Sequence, residues 1–259
     1  MGLSPEKFGA QYLEVFTQRL KELGHVEGRD FVIDKRFADG SVERLPAIAA
    51  ELIALRPTVV VAPTSIGAAA FRQATSTVPV VLIAVTDPDK QGFVATLARP
   101  GGNKGDPTLE RFRPLYRSSF AAVDIEVDFI SVGLAENFER VFARIAAGKA
   151  KVVCATTYSY FQTHARRIAD LALQARLPLF GLRRVFTDAG GLLSYDNDLK
   201  EDYRRAAGFV DRILKGAKPA DLPVEQPDRF ELVINARTAK TLGIKIPQSV
   251  LLRATEVIE

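Results

Sequence analysis

The sequence predicts an α/β protein made of two similar Rossmann-like lobes with parallel sheets, joined through a hinge. Three observations lead there. Helix-like and strand-like periodicities alternate along the whole chain, the order of that alternation is written twice, and 259 residues exceed the roughly 100–200 of a usual single domain. Short apolar strands alternating with amphipathic helices are the pattern of parallel sheets covered by helices on both faces.

In the first half, Phe8, Tyr12, Val15, Leu20 and Leu23 recur at helical spacing, and Gly24 supplies a stop. Arg29 to Phe37 sets Phe31 and Ile33 against Asp34 and Lys35, the alternation of a strand. Leu45, Ile48, Ala49, Leu52 and Ile53 mark a helix, and Thr58 to Ala62 is a β-branched run of the kind buried in parallel sheets. Ile66 to Ala74 is predicted as a helix and Val78 to Ile83 as a strand.

The second half repeats this order. Ile125 to Val132 is predicted as a strand, and Phe138, Val141, Phe142 and Ile145 as one face of a helix. Val152 to Cys154 is the next strand, Thr163 to Ala175 the next helix, Leu177 to Phe180 the next strand, and Gly191 to Leu193 a further one closed by Ser194-Tyr195. Pro100-Gly101-Gly102-Asn103 and Leu222-Pro223-Val224 have the chemistry of junctions, as hinge or as fixed turn.

Composition narrows the function. The net charge of +4 is spread along the chain without a basic run, which fits a solvated surface and no nucleic-acid partner. Cys154 is alone, so an internal disulfide and a CxxC site are both excluded, and its apolar surroundings make it a small buried hydrophobe. His25 and His164 stand in no metal-ligand spacing, so no metal and no cofactor are expected. No stretch reaches the roughly 20 apolar residues of a membrane span. Met1 leads straight into Gly2-Leu3-Ser4-Pro5 with no export-signal pattern, which on its own favours the cytoplasm. No GxGxxG, GxxxxGK[ST] or GxSxG element opens a helix, so no catalytic residue is assigned.

The repeat also places candidate ligand residues. Open α/β sheets bind small molecules beyond the carboxyl ends of their strands, next to helix N-termini. Pro63-Thr64-Ser65 follows a strand in the first half and Thr156-Thr157-Tyr158-Ser159 the matched strand in the second. Both loops are hydroxyl-rich and precede a helix, so each is either a ligand contact or an N-cap. Asp87, in Thr86-Asp87-Pro88, either meets a ligand ammonium or makes an ordinary turn. Arg183-Arg184 either clamps a carboxylate or is solvated, and Tyr195 either stacks on an aromatic ligand or packs.

Four segments carry a family resemblance. They are Arg99 to Asn103, Ala189-Gly190-Gly191-Leu192-Leu193-Ser194-Tyr195, Ile213 to Pro223 (ILKGAKPADLP), and Phe230-Glu231-Leu232-Val233-Ile234-Asn235. In this order and spacing the chain resembles the ABC-transporter substrate-binding proteins of the tryptophan/tyrosine-binding type, over nearly its whole length. The resemblance implies the type I periplasmic-binding-protein fold, with lobes 1–102 plus 196–222 and 103–195 plus 223–259, three crossovers, and a ligand closed between the lobes. It implies that Ser4, Thr64, Ser65 and Asp87 face the cleft from the first lobe, and Tyr158, Ser159 and Arg184 from the second. The implied function is capture of a small polar ligand, an amino acid or related carboxylate, for an ABC importer. The implied setting is periplasmic, with the transporter permease as partner and membrane association only through it. Against the family pattern, a first strand before Leu3-Ser4-Pro5 and a central strand–helix segment around 104–118 are expected to be missing. The alternatives on the same architecture are an enzyme and the ligand-sensing domain of a transcription regulator.

Overall fold

The computed structural model describes residues 6–39, 41–83, 109–130, 132, 137–157 and 159–259. In chain order the regular elements begin with α1 (Glu6–Glu22), α2 (Leu45–Ala54), β1 (Val60–Ala62), α3 (Ser65–Ala74), β2 (Val80–Leu82) and α4 (Leu109–Ala121). There follow α5 (Phe138–Ala147), β3 (Val153–Ala155), α6 (Ser159–Thr163), α7 (Ala165–Gln174), β4 (Leu179–Gly181), α8 (Arg184–Asp188) and β5 (Leu193–Asn197). The chain ends with α9 (Leu199–Leu214), β6 (Phe230–Asn235), α10 (Ala236–Leu242), α11 (Gln248–Leu251) and β7 (Glu256–Ile258).

Two compact units result: Met1–Val127 with Leu199–Pro227, and Asp128–Asp198 with Asp228–Glu259. In the first, β1 and β2 pair in parallel, Val60 beside Val80 and Ala62 beside Leu82. On one side Leu45, Ile48 and Ala49 of α2 close over Ala68 and Phe71 of α3, and Phe71 is fully buried. Phe16 and Leu20 of α1 meet Ala206, Ala207 and Val210 of α9 together with Val81 and Ile83. Each such large apolar side chain contributes about 1.5–3 kcal/mol by leaving water. The turn after α1 is set locally: Gly24 takes φ +96, its N–H donates to Lys21 O at 3.0 Å, and the His25 N–H donates to Leu20 O at 3.1 Å. That double bond is a Schellman cap, which glycine adopts without Cβ strain.

The second unit carries a five-stranded sheet in the order β3-β4-β5-β6-β7. Its core joins Phe138 and Phe142 of α5 to Ile168, Ala169 and Ala172 of α7, Leu179 of β4 and Phe186 of α8. Val60 and Val153 thus stand in separate sheets.

Several expectations are corrected by the structure. The sheet of the second unit is not wholly parallel, because β5 and β6 run antiparallel with Asn197 opposite Phe230. The chain leaves the sheet at the end of β5 and re-enters beside the point of departure, where Asp198 N–H donates to Arg229 O at 3.0 Å. Residues 29–37 form no regular strand. Phe31 and Ile33 do turn inward while Val32 lies outward, but the backbone pairs only in a single bridge between Glu27 and Phe31. The described part of 125–132 forms no strand either, and Ile125 is exposed. The strand expected at Gly191–Leu193 begins at Leu193, so Ser194 and Tyr195 lie inside it. Gly191 belongs to the preceding turn, pressed against Phe186 O so closely that a Cβ would sit 2.8 Å from it.

The units change at Val127, Asp198 and Pro227, against the expected 102, 195 and 222. Tyr195, Asp196 and Asn197 stay laddered to β6, which moves that change later. Residues 224–226 are held to the first unit: Val224 packs on the α2–α3 core, and Gln226 O accepts from Arg205 Nη1 at 3.0 Å. The junction expected at Pro100 to Asn103 and the shortened segment from Lys104 lie largely outside the described residues.

Candidate functional site

The carboxyl end of β1 leads through Pro63 into Thr64, whose backbone is extended (φ −151, ψ 151) before α3 begins at Ser65. Thr64 Oγ1 accepts the Gly67 N–H at 3.1 Å and Thr64 O accepts the Ala68 N–H at 2.9 Å, so the residue caps the helix. The cap uses a lone pair of the hydroxyl and leaves its proton free to donate. Thr64 and Ser65 are both partly accessible.

In the second unit, β3 runs out at Ala155 and Ser159 opens α6, with Gln162 Nε2 donating to Thr157 O at 2.7 Å. The end of β4 is next to it, where the Leu182 N–H donates to Ala155 O at 3.0 Å. The structure therefore brings the Thr156–Ser159 loop and the arginine pair to one edge of one sheet. Ser4, Asp87 and Tyr158 lie outside the described residues.

The two arginines are held differently. Arg184 opens α8 and gives its donors to exposed carboxylates, with Nη1 2.7 Å from Glu256 Oε2, Nη2 3.0 Å from Glu256 Oε1, and Nε 3.4 Å from Asp188 Oδ2. The hydrogen bond with Glu256 raises its pKa further. Arg183 is extended and turns its Nη1 to Asp196 at the end of β5, 2.7 Å from Oδ1 and 2.9 Å from Oδ2. A weaker contact to Asn197 Oδ1 is 3.4 Å long. The side chains are 13% and 11% exposed, so this ion pair is largely desolvated, unlike that of Arg184. Burial pushes the Asp196 carboxyl up, and the Arg183 guanidinium opposes that rise. The pair was not foreseen as a pair. Its signal was the parallel register, because Gly181 lies beside Ser194 and Arg183 and Asp196 each follow two residues later.

Tyr195 stacks on Phe230 with ring centroids 5.5 Å apart and 12° between planes, each residue about half exposed. Cys154 is corrected from a buried hydrophobe to an exposed residue on the edge strand β3. Apolar atoms around its sulfur nevertheless disfavour the thiolate and push the thiol up to about 11. Among the described residues no group of three or more His, Cys, Asp or Glu is arranged to hold a metal ion. Nor is any helix among them long and apolar enough to cross a membrane.

Two α/β units with polar loops at the carboxyl ends of their strands define the fold class of solute-binding proteins. Residues 11–105 and 116–258 match the family described as ABC transporter substrate binding protein, and the chain belongs to that family. It is 24% identical over 261 residues to a tyrosine-binding protein of Clostridioides difficile, with 89% of this chain and 76% of that protein covered. A conserved domain protein from Vibrio cholerae superposes with a TM-score of 0.89 at 25% identity, covering 99% of this chain and 97% of the other. An ABC domain from Streptococcus pneumonia in complex with L-Trp superposes with a TM-score of 0.88 at 21% identity, with the same coverage. The protein is thus a solute-binding component that captures a small molecule, and its family is one of binding proteins and not of enzymes.

Proposed function

We propose that this protein captures an amino acid, with an aromatic side chain as first choice, outside the cytoplasmic membrane and presents it to the permease of an ABC importer. The observation that carries this reading is the family match together with a tyrosine-binding relative covered over most of its length. The polar edges of both units support it. Thr64 and Ser65 in the first unit and Ser159 in the second supply hydroxyls, and the arginine pair after β4 supplies a cation for a carboxylate. Ser4, Asp87 and Tyr158 join this proposed set, and both units contribute to one ligand.

A ligand that binds only the native state raises its stability by mass action, about 2.7 kcal/mol at a hundredfold excess over Kd. Thermal unfolding in the presence of each amino acid, of aromatic carboxylates and of pentoses tests the reading. L-tyrosine or L-tryptophan should raise the transition temperature and D-arabinose should not. A rise with the pentose alone would overturn the choice of an amino acid.

A further inference from the structure

Arg183 has a donor edge that its own fold leaves unused. A guanidinium carries five N–H groups. Nη1 is committed to Asp196 and, weakly, to Asn197, and among the described residues Nε and Nη2 have no partner. Nε and Nη2 lie on one side of the guanidinium plane, and their N–H bonds run parallel, which is the fork that grips two carboxylate oxygens at once. Asp196 fixes the plane from the opposite side, and its own backbone neighbour Asn197 N–H donates to Oδ1 at 2.9 Å. The fork stands at the carboxyl end of β4, the sheet edge where open α/β folds receive ligands.

Neither of the competing cations offers this. Arg184 spends Nη1 and Nη2 on Glu256 and Nε on Asp188, and its side chain is 39% exposed, so a carboxylate there would have to displace existing ion pairs in water. Desolvating the Arg183–Asp196 pair carries a cost that exposed pairs avoid. A fork held rigid in a poorly solvated edge recovers that cost when an anion arrives, because charge-assisted bonds strengthen where water is excluded.

We infer that Arg183, held by Asp196, is the subsite for the ligand's carboxylate, and that Arg184 is not part of it. This rests on the ligand being an amino acid. Asp196 acts through Arg183 and is a positioning residue. The chemistry recognised is a carboxylate with both oxygens free, so the decarboxylated amine of the same side chain lacks the group that is read.

The test is calorimetric titration of the full chain with L-tyrosine, L-tryptophan, tyramine and tryptamine. The wild type should prefer the better amino acid over its amine by about tenfold or more. Arg183→Ala should remove that preference, weakening the amino acid about tenfold or more while leaving the amine within about threefold. Arg183→Lys keeps the charge without the fork and should recover only part of the loss, which also covers the case of an alanine variant that fails to fold. Asp196→Ala should lower the amino-acid preference with Arg183 still present, an effect that a merely structural loss would not confine to the carboxylate. Arg184→Ala should stay within about threefold of wild type for every probe. Wild-type binding with the preference intact in Arg183→Ala would overturn this inference and leave the amino-acid reading standing. A wild type that binds none of the four probes would overturn both.

Discussion

His25 Nε2 lies 2.7 Å from Asp211 Oδ1, across 186 positions of sequence, and ties the turn after α1 to the body of α9. Lys215 Nζ reaches the same oxygen at 2.7 Å from one helical turn on, so one carboxylate oxygen serves two donors. The His25 and Asp211 side chains are 14% and 10% exposed. The Schellman turn at Gly24 is what aims His25 there. Because the carboxylate can only accept, the Nε2 atom carries the proton of this bond.

Burial alone would push the Asp211 carboxyl up, but the Lys215 ammonium and the His25 ring outweigh it and hold the group below the usual carboxylate range. A carboxyl lowered in the folded state stabilises above its unfolded pKa of about 4 and loses that contribution as the pH falls through the folded value. Urea unfolding from pH 7 down to pH 3 should show the wild type losing stability toward the acid end, with a flatter profile for Asp211→Asn. At pH 7 Asp211→Ala should cost about 1–3 kcal/mol, since it strands a buried donor. Identical acid slopes in wild type and Asp211→Asn would mean that the clasp does not couple to the stability of the fold.

A second expectation concerns the seat of α8. A Cβ on Gly181 would lie 2.6 Å from Phe186 Cβ and 2.9 Å from both Phe186 Cδ2 and Arg183 O. Phe186 is fully buried and Arg183 O is backbone, so neither can yield cheaply. Gly181→Ala should therefore destabilise the protein by about 1–3 kcal/mol, the usual range for overpacking a filled core. The same change shifts the residue that carries the guanidinium fork, so amino-acid affinity should fall with it. Gly208→Ala is the control, because a Cβ there meets nothing within 4 Å and the substitution favours helix α9. Equal urea midpoints for the two variants would show that α8 can move away from β4 without penalty.

Much of the fold is legible because apolar periodicity reports which face of an element is buried. The α1, α2, α3, α5 and α7 helices and the cores of β1, β2, β3 and β4 follow from that signal. Periodicity does not report whether a backbone finds a partner, which is why 29–37 shows strand-like alternation around Phe31 and Ile33 without a ladder. The direction of β6 is equally invisible to it, being set by where the chain re-enters at Arg229. The same division holds at the candidate site. Thr64 and Ser65 are legible from a strand–turn–helix pattern with hydroxyls at the turn. The partnership of Arg183 with Asp196 is not, since it depends on the register between β4 and β5 across 13 positions. The sequence favours Arg184 as the carboxylate reader, while the geometry shows that guanidinium already engaged by Glu256.

The last expectation separates the two roles open to Thr64. As an N-cap its Oγ1 accepts the Gly67 N–H at 3.1 Å, satisfying one of the donors that the first turn of α3 leaves over. As a ligand contact the same oxygen donates its proton, and the two roles are compatible because a hydroxyl can accept and donate together. Thr64→Ser keeps both functions and should leave stability and affinity close to wild type. Thr64→Val keeps the shape but loses cap and donor, so it should cost about 1 kcal/mol of stability, the typical worth of such a cap. Thr64→Asp separates them: aspartate is a strong N-cap, yet when ionised it has no proton to donate. If Thr64 only caps the helix, Thr64→Asp binds the ligand as the wild type does. If it also meets the ligand, Thr64→Asp retains stability while calorimetry shows affinity reduced by about fivefold or more, the worth of one lost hydrogen bond at the site. Full affinity in Thr64→Asp and Thr64→Val alike would remove Thr64 from the proposed ligand set and leave it as a cap.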